Sequence, residues 1–230
     1  MKVLVFDDNA VNRAAAQAQL KDHDLTVVNT YDEAQELLSR HVDWKKAQAI
    51  LESQRDDLST YYRSNGKTKF DEYFAAKKKM AEEQATPYFD IVLSDLLVPA
   101  SKQAQGQMGR GGEEMPVGIF IGLLAAVKAR AKYVAVFTDS NHHEHPASAC
   151  FDAFGGESKP KSFKVEDSTV LLCNNRSWVS LFSAEDMSKE VAVETSMNTS
   201  YAEAERKLLS DGKAVRAKNW AALLEYLIKQ

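Results

Sequence analysis

Short apolar runs punctuate the chain, and between the first two the pattern changes to a helical period. KVLVF at 2–6 predicts a buried strand, and AVNRAAAQAQLK at 10–21 a helix of high propensity. LTVV at 25–28 predicts a second strand. Thr30 then stands as an N-cap before YDEAQELLSRHV, with Glu33 three residues on completing a capping box. Strand–helix–strand–helix is the opening of a parallel α/β sheet. The third strand is delayed. DWKKAQAILESQRDDL (43–58) and FDEYFAAKKKMAEEQA (70–85) are both amphipathic, 59–69 carries the Asn65-Gly66 turn signal, and Pro87 ends the second helix. Residues 43–86 therefore predict a helical hairpin inserted into the sheet's connection. It would be packed on itself by Trp44, Ile50, Leu51, Tyr73 and Phe74, or serve as a docking arm.

The sheet resumes with FDIVLSDLLVP at 89–99, followed by a loop rich in Gly, Gln and charge at 101–116. VGIFIGLLAAVKA (117–129) is too apolar for an exposed helix and predicts one broad buried face. YVAVFTDS (133–140) is a fourth strand, and a helix over 146–154 is stopped by Gly155-Gly156. STVLLCNN (168–175) is a strand, WVSLF (178–182) is a candidate for another, and YAEAERKLLSDG (201–212) is helical. AVRAK (214–218) leads into an apolar C-terminal helix, NWAALLEYLIKQ.

Composition narrows the field. The chain has 230 residues, 44% of them hydrophobic and 27% charged, as expected of a globular protein with a sizeable core. A net charge of −4 argues against a nucleic-acid binder. No apolar run approaches the roughly 20 residues that span a bilayer, and MKVLVFDD turns acidic too soon for a signal peptide. Cys150 and Cys173 lie in apolar contexts without metal spacing, so both are expected to be reduced and buried in a cytoplasmic protein.

Set side by side, the strand ends carry chemistry. In a doubly wound parallel sheet, ligands bind at the carboxyl ends of the strands. Those ends hold Asp7 and Asp8, then Asp95, then Thr138. Three carboxylates in one pocket need a counter-charge. Mg²⁺, which takes few protein carboxylates and keeps several waters, fits best and suggests phosphate chemistry.

These residues resemble the receiver domain of response regulators in two-component signalling. VLVFDDNAVNR (3–13) looks like a receiver's first strand and acidic pair. LSDLLVP (93–99) is similar to its phospho-acceptor motif, VAVFTDS (134–140) to the strand bearing its threonine, and AVRAKNWAALLEYL (214–227) to its lysine strand and last helix. The resemblance covers 2–40, 88–99, 116–156 and 213–229. It implies a flavodoxin-like three-layer sandwich forming a single receiver-like domain over 1–230, with insertions at 43–86 and 157–213. It also implies that Asp95 accepts a phosphoryl group from a histidine kinase or phosphotransfer protein. Asp7, Asp8, Asp95 and the Leu97 carbonyl would bind Mg²⁺, and Thr138 and Lys218 would contact phosphoryl oxygens.

The departures define alternatives. Asn219 stands in place of the proline that follows the lysine, although Trp220 supplies the aromatic, and Val215 stands in place of the switch aromatic. Lys159-Pro160 matches the lysine–proline pair but follows no strand. If 168–175 is the fifth strand, Asn174 occupies the lysine position. Lys218 ranks first of the three. No DNA-binding module follows, so signalling output would pass through a partner protein rather than directly to nucleic acid, and a homodimer stays open. A degenerate receiver that binds partners without phosphorylation is the second reading. The third is a Mg²⁺-dependent phosphatase, which lacks its usual Asp-x-Asp because Asn9 holds the second position. Catalysis would at most be transfer to and from Asp95. Two minor clusters remain: His142, His143, Glu144 and His145, read as a solvated loop or a metal site, and the glycines at 109, 111 and 112, read as a mobile loop.

Overall fold

The computed structural model describes residues 1–39, 41–99, 115–139, 145–154, 160–174, 178–193 and 200–230. The chain divides into two compact units, one of residues 1–35 with 89–230 and one of residues 36–88.

The first unit is built on an α/β sheet. β1 (Lys2–Phe6), β2 (Asp24–Val28), β3 (Ile91–Asp95) and β4 (Tyr133–Phe137) are four of its strands. β5 (Phe163–Val165) and β6 (Ser168–Cys173) complete it. The order is β2-β1-β3-β4-β6-β5, parallel throughout except for the short edge strand β5. The inner strands are almost continuously buried, which is why they read as unbroken apolar runs. Side chains alternate between the two faces. Val3, Val5, Ile91, Leu93, Ala135, Phe137 and Leu171 face a core shared with two helices, α1 (Ala10–Gln19) and the C-terminal Trp220–Ile228. Against the other face lies Gly118–Leu123, which continues as a π-turn over Leu124–Lys128. Gly122 sits so close to the sheet there that a Cβ would lie 2.8 Å from Val136 Cγ2. This helix buries Ile121, Ala125 and Ala126 but leaves Phe120, Leu123 and Val127 exposed.

AVRAK is not the fifth strand of this sheet. That parallel position belongs to β6, the STVLLC run. AVRAK forms β8 (Ala214–Lys218), which pairs antiparallel with β7 (Val179–Ser183) in a separate two-stranded sheet. The helix Tyr201–Ser210 between them carries a complete capping box, Ser200 with Glu203. The expected 146–154 helix is a short α-turn, Pro146–Ala149, followed by 3₁₀ turns over Cys150–Phe154. Cys150 is exposed, contrary to expectation, because it lies on this irregular segment; Cys173 is buried in β6, where burial pushes its thiol pKa up. Among the described residues no helix is long and apolar enough to cross a membrane.

The second unit holds α2's end (the helix spans Tyr31–Leu38), then α3 (Trp44–Ser53) and α4 (Arg55–Ala85). Asp43 caps α3 through the amide of Lys46 (3.0 Å). α4 is two helices broken at Gly66, whose φ of 74° is left-handed backbone that glycine adopts at little cost. Tyr61 stacks on Tyr73 with ring centroids 4.0 Å apart, and Lys77 pairs with Asp57 at 3.3 Å, so the arms fold back on each other about the Asn65-Gly66 turn. Of the residues expected to pack this hairpin, Ile50, Leu51 and Tyr73 are half-buried; Trp44 and Phe74 are exposed.

Candidate functional site

Asp7 follows β1 directly, and its amide still donates to Val28 of the neighbouring strand (3.2 Å). That holds its side chain at the carboxyl edge of the sheet, fully buried. Asp95, the last residue of β3, is 7% exposed beside it. One carboxylate oxygen each from Asp7, Asp8 and Asp95 lie within 4.8 Å of one another. Thr138 follows β4, buried, with its amide donating to Cys173 of β6 (3.1 Å). A cleft of about 230 Å³ opens here, lined by Asp8, Asn12, Asp95, Leu97, Thr138 and Asp139 among others.

Lys218 completes the cluster from outside the sheet. It is fully buried at the end of β8, with Nζ 2.9 Å from Asp7 Oδ2 and 2.7 Å from Asp95 Oδ1. The ammonium also lies 5.2 Å from the Phe137 ring centroid and 5.3 Å from that of Trp220. The structure thus brings Asp7, Asp8, Asp95, Leu97, Thr138 and Lys218 to one place. Asn174 does not take the lysine's part: its amide donates to Ser148 O and Asp152 Oδ1, both at 3.0 Å. Lys159, His142, His143, Glu144 and the glycines at 109, 111 and 112 lie outside the described residues. His145 caps the Pro146 turn, its Nδ1 accepting from Ala147 N at 3.0 Å.

Four contributors were missed in the sequence. Asn12 donates its side-chain amide to the Asp7 carboxylate (3.2 and 3.4 Å) and accepts the Lys218 backbone amide on Oδ1 (3.1 Å). Its carbonyl takes the Trp220 indole N–H (2.9 Å). Gln19 donates to the Lys218 carbonyl (3.2 Å). α1 therefore supplies, from its side chains, bonds to β8 that a neighbouring strand of the main sheet would otherwise make. A polar Asn on the buried side of an Ala-rich helix was the available signal for Asn12. Asp139 adds charge at the cleft. Gly118 presses on the end of β3: a Cβ there would lie 1.8 Å from the Asp95 carbonyl oxygen.

The electrostatics follow from burial. Burial alone would lower the Lys218 pKa, but Asp7, Asp95 and Asp139 outweigh it and hold the ammonium charged. Burial pushes the Asp95 carboxyl up, Lys218 opposes that without reversing it, and Asp7 adds to the rise. One ammonium facing three carboxylates leaves a deficit of positive charge. The donors are all hard carboxylate oxygens, so the site fits Mg²⁺ better than a metal that prefers nitrogen or sulfur.

No protein-family model matches this chain, and no curated protein or solved structure matches it significantly.

Proposed function

We propose that the chain is a receiver-type signalling module on a flavodoxin-like sheet, accepting a phosphoryl group on Asp95. The single observation that carries this reading is the buried Lys218 ammonium, 2.7 Å from the acidic acceptor at the end of the central strand. The strand order β2-β1-β3-β4-β6 supports the fold, because it is the flavodoxin-like order with β3 beside the switch point where ligands bind.

Asp95 Oδ1 accepts from the Leu96 amide (2.7 Å) and from Lys218, and in this reading Oδ2 makes the attack. Oδ2 attacks the phosphorus of a partner's phosphohistidine whose other ring nitrogen carries a proton; the P–N bond breaks, its electron pair goes to the nitrogen so that neutral imidazole leaves, and an acyl phosphate forms. Lys218 offsets the charge on the phosphoryl oxygens from the buried side, and Thr138 hydrogen-bonds one of them. Asp7, Asp8, Asp95 and the Leu97 carbonyl would hold Mg²⁺, which when bound draws charge from the phosphoryl oxygens. The donor is a histidine kinase or phosphotransfer protein in the cytoplasm, and the output is a second protein.

Incubation of the full chain with phosphoramidate and Mg²⁺ tests this. One acid-labile phosphoryl group per chain, lost in Asp95→Asn and without EDTA-resistant labelling, is the expected result. No labelling rejects phosphotransfer and leaves a phosphorylation-independent binding module; steady hydrolysis of a phosphate ester would instead make the protein a phosphatase.

A further inference from the structure

The lysine strand is not held as a sheet strand is. Among the described residues β8 has β7 on one edge and no strand on the other. On that open edge both main-chain groups of Lys218 are taken by side chains of α1. Its N–H donates to Asn12 Oδ1 (3.1 Å), and its carbonyl accepts from Gln19 Nε2 (3.2 Å). Asn12 and Gln19 stand two turns apart, on one face of the helix. Gln19 reaches further. The same Nε2 donates to the Met187 carbonyl (3.4 Å), and Oε1 accepts the Ala221 amide (3.3 Å). One side chain thus ties the segment after β7, the last residue of β8 and the first turn of the C-terminal helix to α1. Unlike Asn12, Gln19 is not among the residues that line the cleft.

The geometry of the ammonium makes this link matter. Lys218 Nζ lies 2.9 Å from Asp7 and 2.7 Å from Asp95, whose positions are set by β1 and β3 of the main sheet. The lysine's own main chain belongs to a two-stranded sheet outside it. The two sheets must therefore keep register at the lysine, since a misplacement on the order of 1 Å costs a reacting group much of its effect. α1 provides the common frame. It starts at the end of β1, with the Asn9 amide bonded to Asp7 Oδ1 (2.8 Å), so what is tied to α1 is tied to the carboxylates. We propose that Gln19 is a positioning residue for Lys218: by donating to the Lys218 carbonyl it holds the end of β8 against α1 and keeps the ammonium between Asp7 and Asp95. Its effect on the reaction rests on the phosphoryl-acceptor reading; its effect on where Lys218 sits does not.

Two substitutions in the full chain separate the halves of the Gln19 amide. Gln19→Glu keeps the shape and can still accept from Ala221, but it has no hydrogen to donate and turns a carboxylate toward the two carbonyls. Gln19→Lys donates to both carbonyls and cannot accept. Acetic anhydride followed by peptide mass mapping reads the placement of the ammonium. Lys218 should stay unmodified in the wild-type chain and in Gln19→Lys, and be acetylated in Gln19→Glu. Cys173, buried in β6, should stay closed to iodoacetamide in all three, which separates release of β8 from unfolding. With phosphoramidate and Mg²⁺, Gln19→Glu should lower the maximal labelling rate by on the order of tenfold or more at an unchanged half-saturating phosphoramidate concentration, and Gln19→Lys should label near the wild-type rate. Lys218 as protected in Gln19→Glu as in the wild type overturns the proposal. So does its release only together with Cys173, or an equal loss in both variants. Release of Lys218 in Gln19→Glu alone, in a protein whose wild type takes no label, upholds the positioning and rejects phosphotransfer.

Discussion

Lys218 is the residue on which the site turns. A fully buried ammonium between two carboxylates is costly to desolvate and costlier still to remove, since removal leaves the acids uncompensated. Lys218→Met should therefore lower unfolding stability by about 3–5 kcal/mol in urea titrations and abolish labelling at Asp95. Added Mg²⁺ should return part of that stability, because a cation at Asp7, Asp8 and Asp95 replaces the missing charge. Unchanged stability, or labelling at the wild-type rate, would contradict the role given to Lys218. This residue was legible only as a match to a motif. What aims it, the Asn12 and Gln19 side chains, was hidden because a residue at the start of the chain and one near its end share no local signal.

At the scale of elements, the sheet was largely legible and its final strand was not. β1, β3, β4 and β6 are continuous apolar runs, as strands covered on both faces must be. AVRAK differs: Arg216 breaks it and is exposed. That pattern belongs to a strand with one wet face, which is what β8 is, so the evidence against placing it in the main sheet was present at one residue. β5 was invisible because three residues make no pattern. The helix beginning at Gly118 makes a sharper prediction. Its Cβ-less start is set against main chain, with Leu96 Cα 2.8 Å from where a Cβ would sit, whereas Gly122 faces a valine methyl that can turn. Gly118→Ala should cost about 1–3 kcal/mol and slow labelling by displacing Asp95, while Gly122→Ala should cost less and leave the labelling rate unchanged. Thermal melts and initial labelling rates check both; equal effects of the two substitutions would mean that the Gly118 contact does not hold Asp95 in place.

The whole molecule divides into two compact units. The hairpin's composition announced helices, but its missing core was not legible, because amphipathic spacing shows which face wants cover and not whether cover exists. Its ends come together: the Asp43 amide donates to the Ala85 carbonyl (3.2 Å). A short Gly-Ser linker in place of residues 43–86 should therefore close with little entropic cost and leave phosphoryl labelling at the wild-type level, while failure to label would make the hairpin part of the reaction.

The central claim is that Asp95 is the phosphoryl acceptor. An acyl phosphate is reduced by borohydride, and an aspartyl phosphate thereby becomes homoserine. After incubation with phosphoramidate and Mg²⁺, borohydride treatment and peptide mass mapping should find homoserine at position 95 and nowhere else. Reduction at position 7 or 8, or none at all in a folded, Mg²⁺-loaded chain, would contradict the account.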